Sequence, residues 1–219
     1  MQNLKVIFFG STTDSVIVLQ SLSNLRSNEV TKFAIVAIVT QPPRAVGRKQ
    51  IVTPTSVELW AQYHRIPVLS FPPDPSHQWL YANEQQVIDT LQPFHADVLV
   101  SACYGQRIPI QAIQATQFGG LNVHPSLLPR WRGADPVPWT ILTGDHQTAV
   151  TVVTLSEKFD EGQMVAQKKL PITDKDTSDP LRTKLFTMGA QLLIESLPNY
   201  LNKAASYRYV PESRVQKTD

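Results

Sequence analysis

Apolar and polar positions divide the chain into two styles. "KVIFFG" (5–10), "FAIVAIVT" (33–40) and "ADVLVSA" (96–102) are nearly unbroken apolar runs, the pattern of strands buried on both faces in a parallel sheet. Helix signals lie between them. Thr13 or Asp14 can cap a helix running to about Leu25, with Val16, Leu19 and Leu22 on one face. Thr53-Pro54 opens a second helix, since proline is tolerated in a first turn. A third helix is expected over about 77–92 and a short one near 109–116, while "IPVLSF" (66–71) and "GGLNVH" (119–124) supply two further strands. This strand–helix alternation predicts a Rossmann-like α/β fold, an open and mostly parallel sheet flanked by helices. Beyond residue 149 the style changes, and "AVTVVTLSEKFDEGQMVAQKKLPI" (149–172) reads as two strands joined by a turn. A closing amphipathic helix is expected over about 178–202. "QPPRAVGRKQ" (41–50) reads as a polar loop. The expected organisation is one domain, 1–203, and a polar tail or linker, 204–219.

Composition narrows this picture only a little. At 219 residues and 42% hydrophobic, the chain can build one sizeable core. A net charge of +2 neither demands nor excludes a nucleic-acid partner. The single cysteine, Cys103, rules out an internal disulfide framework. No apolar run approaches the ~20 residues that span a bilayer, so no membrane partner is expected. "MQNLKV" runs directly into a strand and leaves no room for a signal peptide, which makes a cytoplasmic protein the expectation.

Strand 1 ends in "GSTTDS", which is neither the dinucleotide fingerprint nor a phosphate-binding P-loop. Ligands of open parallel sheets nevertheless sit at the carboxyl ends of the strands, here the segments 10–13, 41–50, 103–108 and 124–135. One of these follows "GLNVHPSLLPRWRG" (120–133). Side chains alternate along a strand, so Asn122 and His124 share a face. Burying an amide there costs several kcal/mol unless it is paired. Two readings stand for His124: a half-buried histidine bonded to a nearby carbonyl, or a working group. Asp160, in "KFDEG", reads by itself as a turn residue, and spacing alone does not bring it to His124. His64, His77, His95 and His146 fall in helices or surface turns, and no His/Cys/carboxylate set has metal spacing, so no metal is expected. Cys103 lacks a neighbouring base and reads as a small hydrophobe. Arg44, Arg48 and Lys49 form either a solvated face or a seat for an anionic partner.

Taken together, these motifs pass from suggestive to specific. "LNVHPSLLPRWRGADP" resembles the signature of the folate-dependent formyltransferases, and "RWRGA" is most similar to the members that act on methionyl-tRNA. "VTQPPRAVGRK" resembles the acceptor-side loop of those members, "ADVLVSACYGQRIP" their folate-side strand and loop, and "GDHQTAVTVVTLSEKFDEGQMVAQ" the segment bearing their catalytic aspartate. The resemblance covers about residues 4 to 200. Some positions depart from it. Asp135 replaces a small residue, Gln163 stands where an acid is common, and "PVPW" (136–139) is reminiscent of the sugar N-formyltransferases. The C-terminal β-domain of the tRNA-acting members has no counterpart in these residues.

The resemblance implies formyl transfer from 10-formyltetrahydrofolate to the amino group of initiator methionyl-tRNA, with a nucleotide-linked amino sugar or a ribonucleotide amine as the alternative acceptor. An inactive folate-binding remnant is the competing class. By resemblance Asn122, His124 and Asp160 act on the formyl group: Asn122 and protonated His124 donate to the developing oxyanion, and Asp160 orients His124 and takes the amine's proton. Folate contacts are implied for Ser126, Leu127, Leu128, Pro129, Tyr104, Gly105, Gln106, Arg107, Ile108 and Phe159. Acceptor phosphates are assigned to Arg44, Arg48, Lys49, Arg130 and Arg132.

Overall fold

The computed structural model describes residues 2–25 and 31–204. Its elements run β1 (Gln2–Phe9), α1 (Thr13–Asn24), β2 (Thr31–Thr40), β3 (Arg44–Val46), β4 (Ile51–Thr53), α2 (Ser56–His64) and β5 (Val68–Ser70). They continue with α3 (Glu84–Leu91), a 3-10 turn (Gln92–Phe94), β6 (Val98–Ser101), α4 (Ile110–Gln114), β7 (Gly120–His124) and α5 (Pro136–Leu142). β8 (Gln147–Thr154), β9 (Met164–Pro171) and α6 (Ser178–Asn202) complete the chain. One sheet has the order β5-β2-β1-β6-β7-β8-β9. The strands from β5 to β7 are parallel, and β8 and β9 are antiparallel additions at one edge. The expected open, mostly parallel α/β sheet is what forms.

The unbroken apolar runs are explained by two cores, one on each face. Val6, Phe8, Ile38, Val98, Val100, Leu121, Val123, Val150 and Val152 pack with Val18, Leu19 and Leu22 of α1, Val57 and Ala61 of α2, and the buried stripe of α6. Ile7, Phe9, Ala37, Val39 and Leu99 point the other way, towards α3 and α4. Both sides of each central strand are therefore dry, and no polar alternation is possible. Among the described residues, no helix is long and apolar enough to cross a membrane.

Several boundaries differ from the expectations, each for a local reason. The helix expected from 77 begins only at Glu84, where the Asn83 side chain accepts from the Gln86 amide at 3.1 Å. Ahead of it the Asp74 carboxylate accepts from the Ser76 and His77 amides at 2.8 Å each, and so holds that stretch in turns. α2 is capped by Thr55 rather than opened at Thr53-Pro54. The 41–50 segment is not all loop: Arg44–Val46 pairs antiparallel with Ile51–Thr53 as an exposed hairpin. α5 was not anticipated, because two prolines disguise it. Both stand in its first turn, where amides lack intrahelical partners anyway. Of the tail expected over 204–219, residues 205–219 lie outside the described residues.

α6 lies directly behind the strand that carries Asn122 and His124. A Cβ placed on Gly189 would meet Val123 Cγ1 at 2.5 Å and Val150 Cγ2 at 2.6 Å. In an exposed helix Gly→Ala stabilises by about 1 kcal/mol, but overpacking a filled core costs about 1–3 kcal/mol. Gly189→Ala is therefore expected to destabilise the fold by about 1–2 kcal/mol in chemical denaturation. A stabilised variant would mean that α6 sits further from the sheet than described.

Candidate active site

The strand order reverses between β1 and β6, and such a reversal opens a crevice at the strands' carboxyl ends. Here it is a cleft of about 540 Å³, lined by the loop after β1, the ends of β6 and β7, the turn 153–160, the first turns of α1 and α5, and Arg182 and Phe186 of α6. Its size falls within the usual range for ligand pockets. The α1 terminus is not offered as an anion seat. The Ser11 and Thr12 amides both donate to Ser15 Oγ at 3.1 Å, and Ser15 Oγ in turn donates to the Ala102 carbonyl at 2.7 Å.

β7 delivers the two polar groups as its alternation requires. Leu121 and Val123 face the α6 core, while Asn122 and His124 face the cleft. Asp160 joins them from the turn after β8. Its Oδ1 accepts from Asn122 Nδ2 at 2.9 Å, and its Oδ2 accepts from the Gly133 amide at 2.9 Å. His124 Nδ1 lies 3.3 Å from Oδ2, an ion-pair distance, with both side chains only 6% exposed. His124 Nε2 is 2.8 Å from the Trp131 carbonyl oxygen. A carbonyl only accepts, so Nε2 carries a hydrogen, and Nδ1 is the atom left for Asp160 and the cleft. The two readings of His124 therefore coexist: one ring nitrogen is bonded to a nearby carbonyl and the other faces the Asp160 carboxylate.

Local backbone explains why the segments meet. Asp160 has φ +54°, a left-handed conformation that Asp tolerates better than most residues. A Cβ on Gly162 would lie 1.9 Å from the Thr154 carbonyl oxygen, so the turn closes onto β8 only with glycine there. Gly133, at φ +85°, turns its amide to Asp160.

The other expected site residues divide sharply. Tyr104, Gly105, Gln106, Arg107, Ile108 and Phe159 line the cleft. Ser126, Leu127, Leu128 and Pro129 do not. Ser126 Oγ donates to the Arg130 carbonyl, the Ser126 carbonyl accepts from Thr151, and the Leu128 carbonyl accepts from Gln167. These bonds make the segment a buttress behind His124, because its polar groups are spent on the Arg130 carbonyl, β8 and β9. Nor do the five basic residues gather on the cleft. Arg130 is held bidentate by Asp145, at 2.9 and 2.8 Å, and this depresses the Asp145 carboxyl. Arg132 meets Glu161 at 3.4 Å, and Arg44, Arg48 and Lys49 stand on the exposed hairpin.

Further lining groups escaped the sequence reading. Trp79 stands in the folded-back 74–82 stretch, where no periodicity marks it. Asp14 of α1, Asp135 just ahead of α5 and Arg182 of α6 also line the cleft. Burial is the main force raising the Asp14 carboxyl; Arg182 opposes it, and Asp179 and Asp135 add to it. Burial likewise pushes the Cys103 thiol up to about 12, so it stays protonated and a poor nucleophile at neutral pH. Among the described residues, no group of three or more His, Cys, Asp or Glu is placed to hold a metal ion.

A family model described as formyl transferase matches residues 4–197. The methionyl-tRNA formyltransferase of Listeria monocytogenes serotype 4a (strain HCC23) is 39% identical over 197 residues, 90% of this chain and 58% of the relative. The methionyl-tRNA formyltransferase of Lactobacillus johnsonii (strain CNCM I-12250 / La1 / NCC 533) is 35% identical over 210 residues, 96% of this chain and 62% of the relative. The chain thus spans less than two thirds of the length of these relatives. The crystal structure of phosphoribosylglycinamide formyltransferase from Bacillus halodurans is similar with a TM-score of 0.71 and 25% identity, covering 94% of this chain and all of that one. With the family model spanning most of its length, the chain belongs to the formyl transferase family.

Proposed function

We propose that the protein transfers a formyl group from 10-formyltetrahydrofolate to a primary amine, without a covalent enzyme intermediate. The observation that carries this reading is the convergence of Asn122, His124 and Asp160 beside a ligand-sized cleft. The donor supplies a formyl carbonyl on nitrogen; the acceptor amine adds to its carbon, the bond to the donor nitrogen breaks, and one proton passes from the amine to that nitrogen. One Asn122 N–H is committed to Asp160, and its other N–H is left for the carbonyl oxygen as that oxygen gains charge. A preorganised donor of this kind contributes about 10²–10³ in kcat. His124, fixed through Nε2, keeps Nδ1 between Asp160 and the cleft. Asp160, with Asn122 and the Gly133 amide supporting its charge, is suited to receive the amine's proton. In this reading Tyr104–Ile108, Trp79 and Phe159 seat the folate, and Ser126–Pro129 support the site from behind.

Two acceptors each have an observation behind them. Methionyl-tRNA is the substrate in the relatives' names, and the exposed hairpin bearing Arg44, Arg48 and Lys49 suits a phosphate backbone. On this reading the protein works in the cytoplasm. An amino sugar carried on a nucleotide is favoured instead by the charged lining of Asp14, Asp135 and Arg182.

His124→Ala and Asp160→Asn test the chemistry directly. An amide at position 160 would set an NH₂ against the Gly133 or Asn122 donors, and the proton acceptor would be gone. Each variant is expected to lose about 10²–10⁴ in kcat, while the Kd for the folate donor stays within about threefold, since both groups act on charge that develops during reaction. Single-turnover rates and fluorescence titration measure the two quantities. A donor Kd that rises in step with the lost turnover would show that these residues bind rather than react.

The hairpin has its own test. Each phosphate contact contributes about 0.7–0.9 to the slope of log affinity against log salt. Replacing Arg44, Arg48 and Lys49 together by Ala is therefore expected to lower that slope for tRNA by about 2. An unchanged slope in binding titrations at several salt concentrations would remove the hairpin from tRNA recognition.

A further inference from the structure

A second set of bonds converges on Trp131. α5 closes in a turn in which the Gly144 amide donates to the Ile141 carbonyl at 3.0 Å and the Asp145 amide to the Thr140 carbonyl at 3.1 Å. With Gly144 at φ +71°, this is the Schellman ending of a helix, and it sets where Asp145 stands. Asp145 Oδ2 accepts from the Trp131 indole nitrogen at 2.8 Å and from Arg130 Nε at 2.9 Å, and its Oδ1 accepts from Arg130 Nη2 at 2.8 Å. The Arg130 guanidinium carbon lies 4.5 Å from the centre of the Trp131 ring and closes the circle. Trp139 of α5 lies nearly parallel to Trp131, with centroids 6.3 Å apart and planes 17° apart. None of these four side chains lines the cleft.

Their effect reaches the site through one atom, the Trp131 carbonyl oxygen, 2.8 Å from His124 Nε2. Trp131 has φ +61°, an outlier for a bulky residue. Such a conformation persists only where the surroundings over-determine it. Released to negative φ, Trp131 would turn its carbonyl away from the histidine, and its indole is the part that is gripped. We propose that Arg130 and Asp145 are positioning residues for formyl transfer: by holding the Trp131 indole they keep its carbonyl on Nε2, and so keep Nδ1 of His124 towards Asp160 and the cleft. The proposal rests on the formyl-transfer reading. It also gives Arg130 a task other than an acceptor phosphate, since its Nε and Nη2 are already committed to Asp145.

Trp131→Phe keeps an aromatic ring and removes only the N–H that Asp145 accepts, while Arg130→Ala and Asp145→Ala remove the other two parts of the clamp. Displacing a catalytic group by about 1 Å can cost about 10²-fold in rate, so each variant is expected to lose about 10- to 100-fold in kcat. KM for donor and acceptor is expected to stay within about threefold, because no clamp residue lines the cleft. The assay uses the full chain with 10-formyltetrahydrofolate and either methionyl-tRNA or a nucleotide-linked amino sugar, whichever the wild type formylates. NMR of protein labelled with ¹⁵N-histidine reads the ring itself, with His124→Gln identifying the resonance. The wild type is expected to show a His124 Nε2–H sheltered from solvent, and the variants to exchange that hydrogen at least ~10-fold faster. A folded Trp131→Phe or Asp145→Ala with wild-type kcat overturns the proposal, as does an Nε2–H whose exchange is unchanged in them. An Arg130→Ala variant that raises acceptor KM and keeps kcat also overturns it, since that is the mark of a phosphate contact. A wild type that binds the donor and transfers to neither acceptor overturns the formyl-transfer reading instead, and the exchange measurement then still decides whether the clamp holds the ring.

Discussion

The Asp160 carboxylate joins the site. Three groups from one stretch, residues 122–133, end on its two oxygens from far away in the chain: Asn122 of β7, His124 at the end of the same strand, and the Gly133 amide of the loop that follows. A carboxylate with side-chain exposure of 6% is tolerable in a protein only when it is bonded and charge-compensated. Each of the three partners is therefore needed twice, once to keep Asp160 in the fold and once to place the cleft. Removing any one leaves a buried charge short of a partner, so stability and site geometry are coupled here more tightly than at the helices.

That coupling is maintained by strained backbone. Asp160, Trp131, Asp135 and Cys103 all have positive φ, between +47° and +61°, and all lie at or beside the cleft. Such conformations cost on the order of 1–3 kcal/mol each and persist only where the surroundings over-determine them. At Trp131 the surroundings are identifiable: its indole nitrogen donates to Asp145 at 2.8 Å, and its carbonyl accepts from His124. The Arg130–Asp145 pair thus serves the histidine indirectly. It clamps the residue whose carbonyl fixes the ring.

The sheet was legible in the sequence because its strands are dry on both faces, and an unbroken apolar run has few other places to go. Asn122 and His124 were legible for the opposite reason, as polar groups in a run where burial is costly. The resemblance carried Asp160 to them; no periodicity does. What could not be read was backbone chemistry. The Trp131 carbonyl and the Gly133 amide are donors and acceptors that every residue possesses, and only the turn geometry singles them out. The partners of two of the five cations were hidden for a related reason. A positive charge in sequence does not reveal its carboxylate partner, and Arg130 and Arg132 both have one. Asp14 and Arg182 were invisible because α1 and α6, which bring them together, are far apart in the chain but packed side by side.

Strand ends and helices contribute to the cleft in different ways. Asn122 and His124 are fixed by β7, whose neighbours on both sides are hydrogen-bonded strands. Asp14 and Arg182 instead belong to helices and Asp135 to the residue before one, where no strand pairing imposes alternation. The charges at positions 14, 135 and 182 are independent of the bonds on Asp160, since none of those three is among the groups that hold it. The Asn122–His124–Asp160 cluster is thus anchored by the sheet, while the charged groups at positions 14 and 182 stand on the helices beside it.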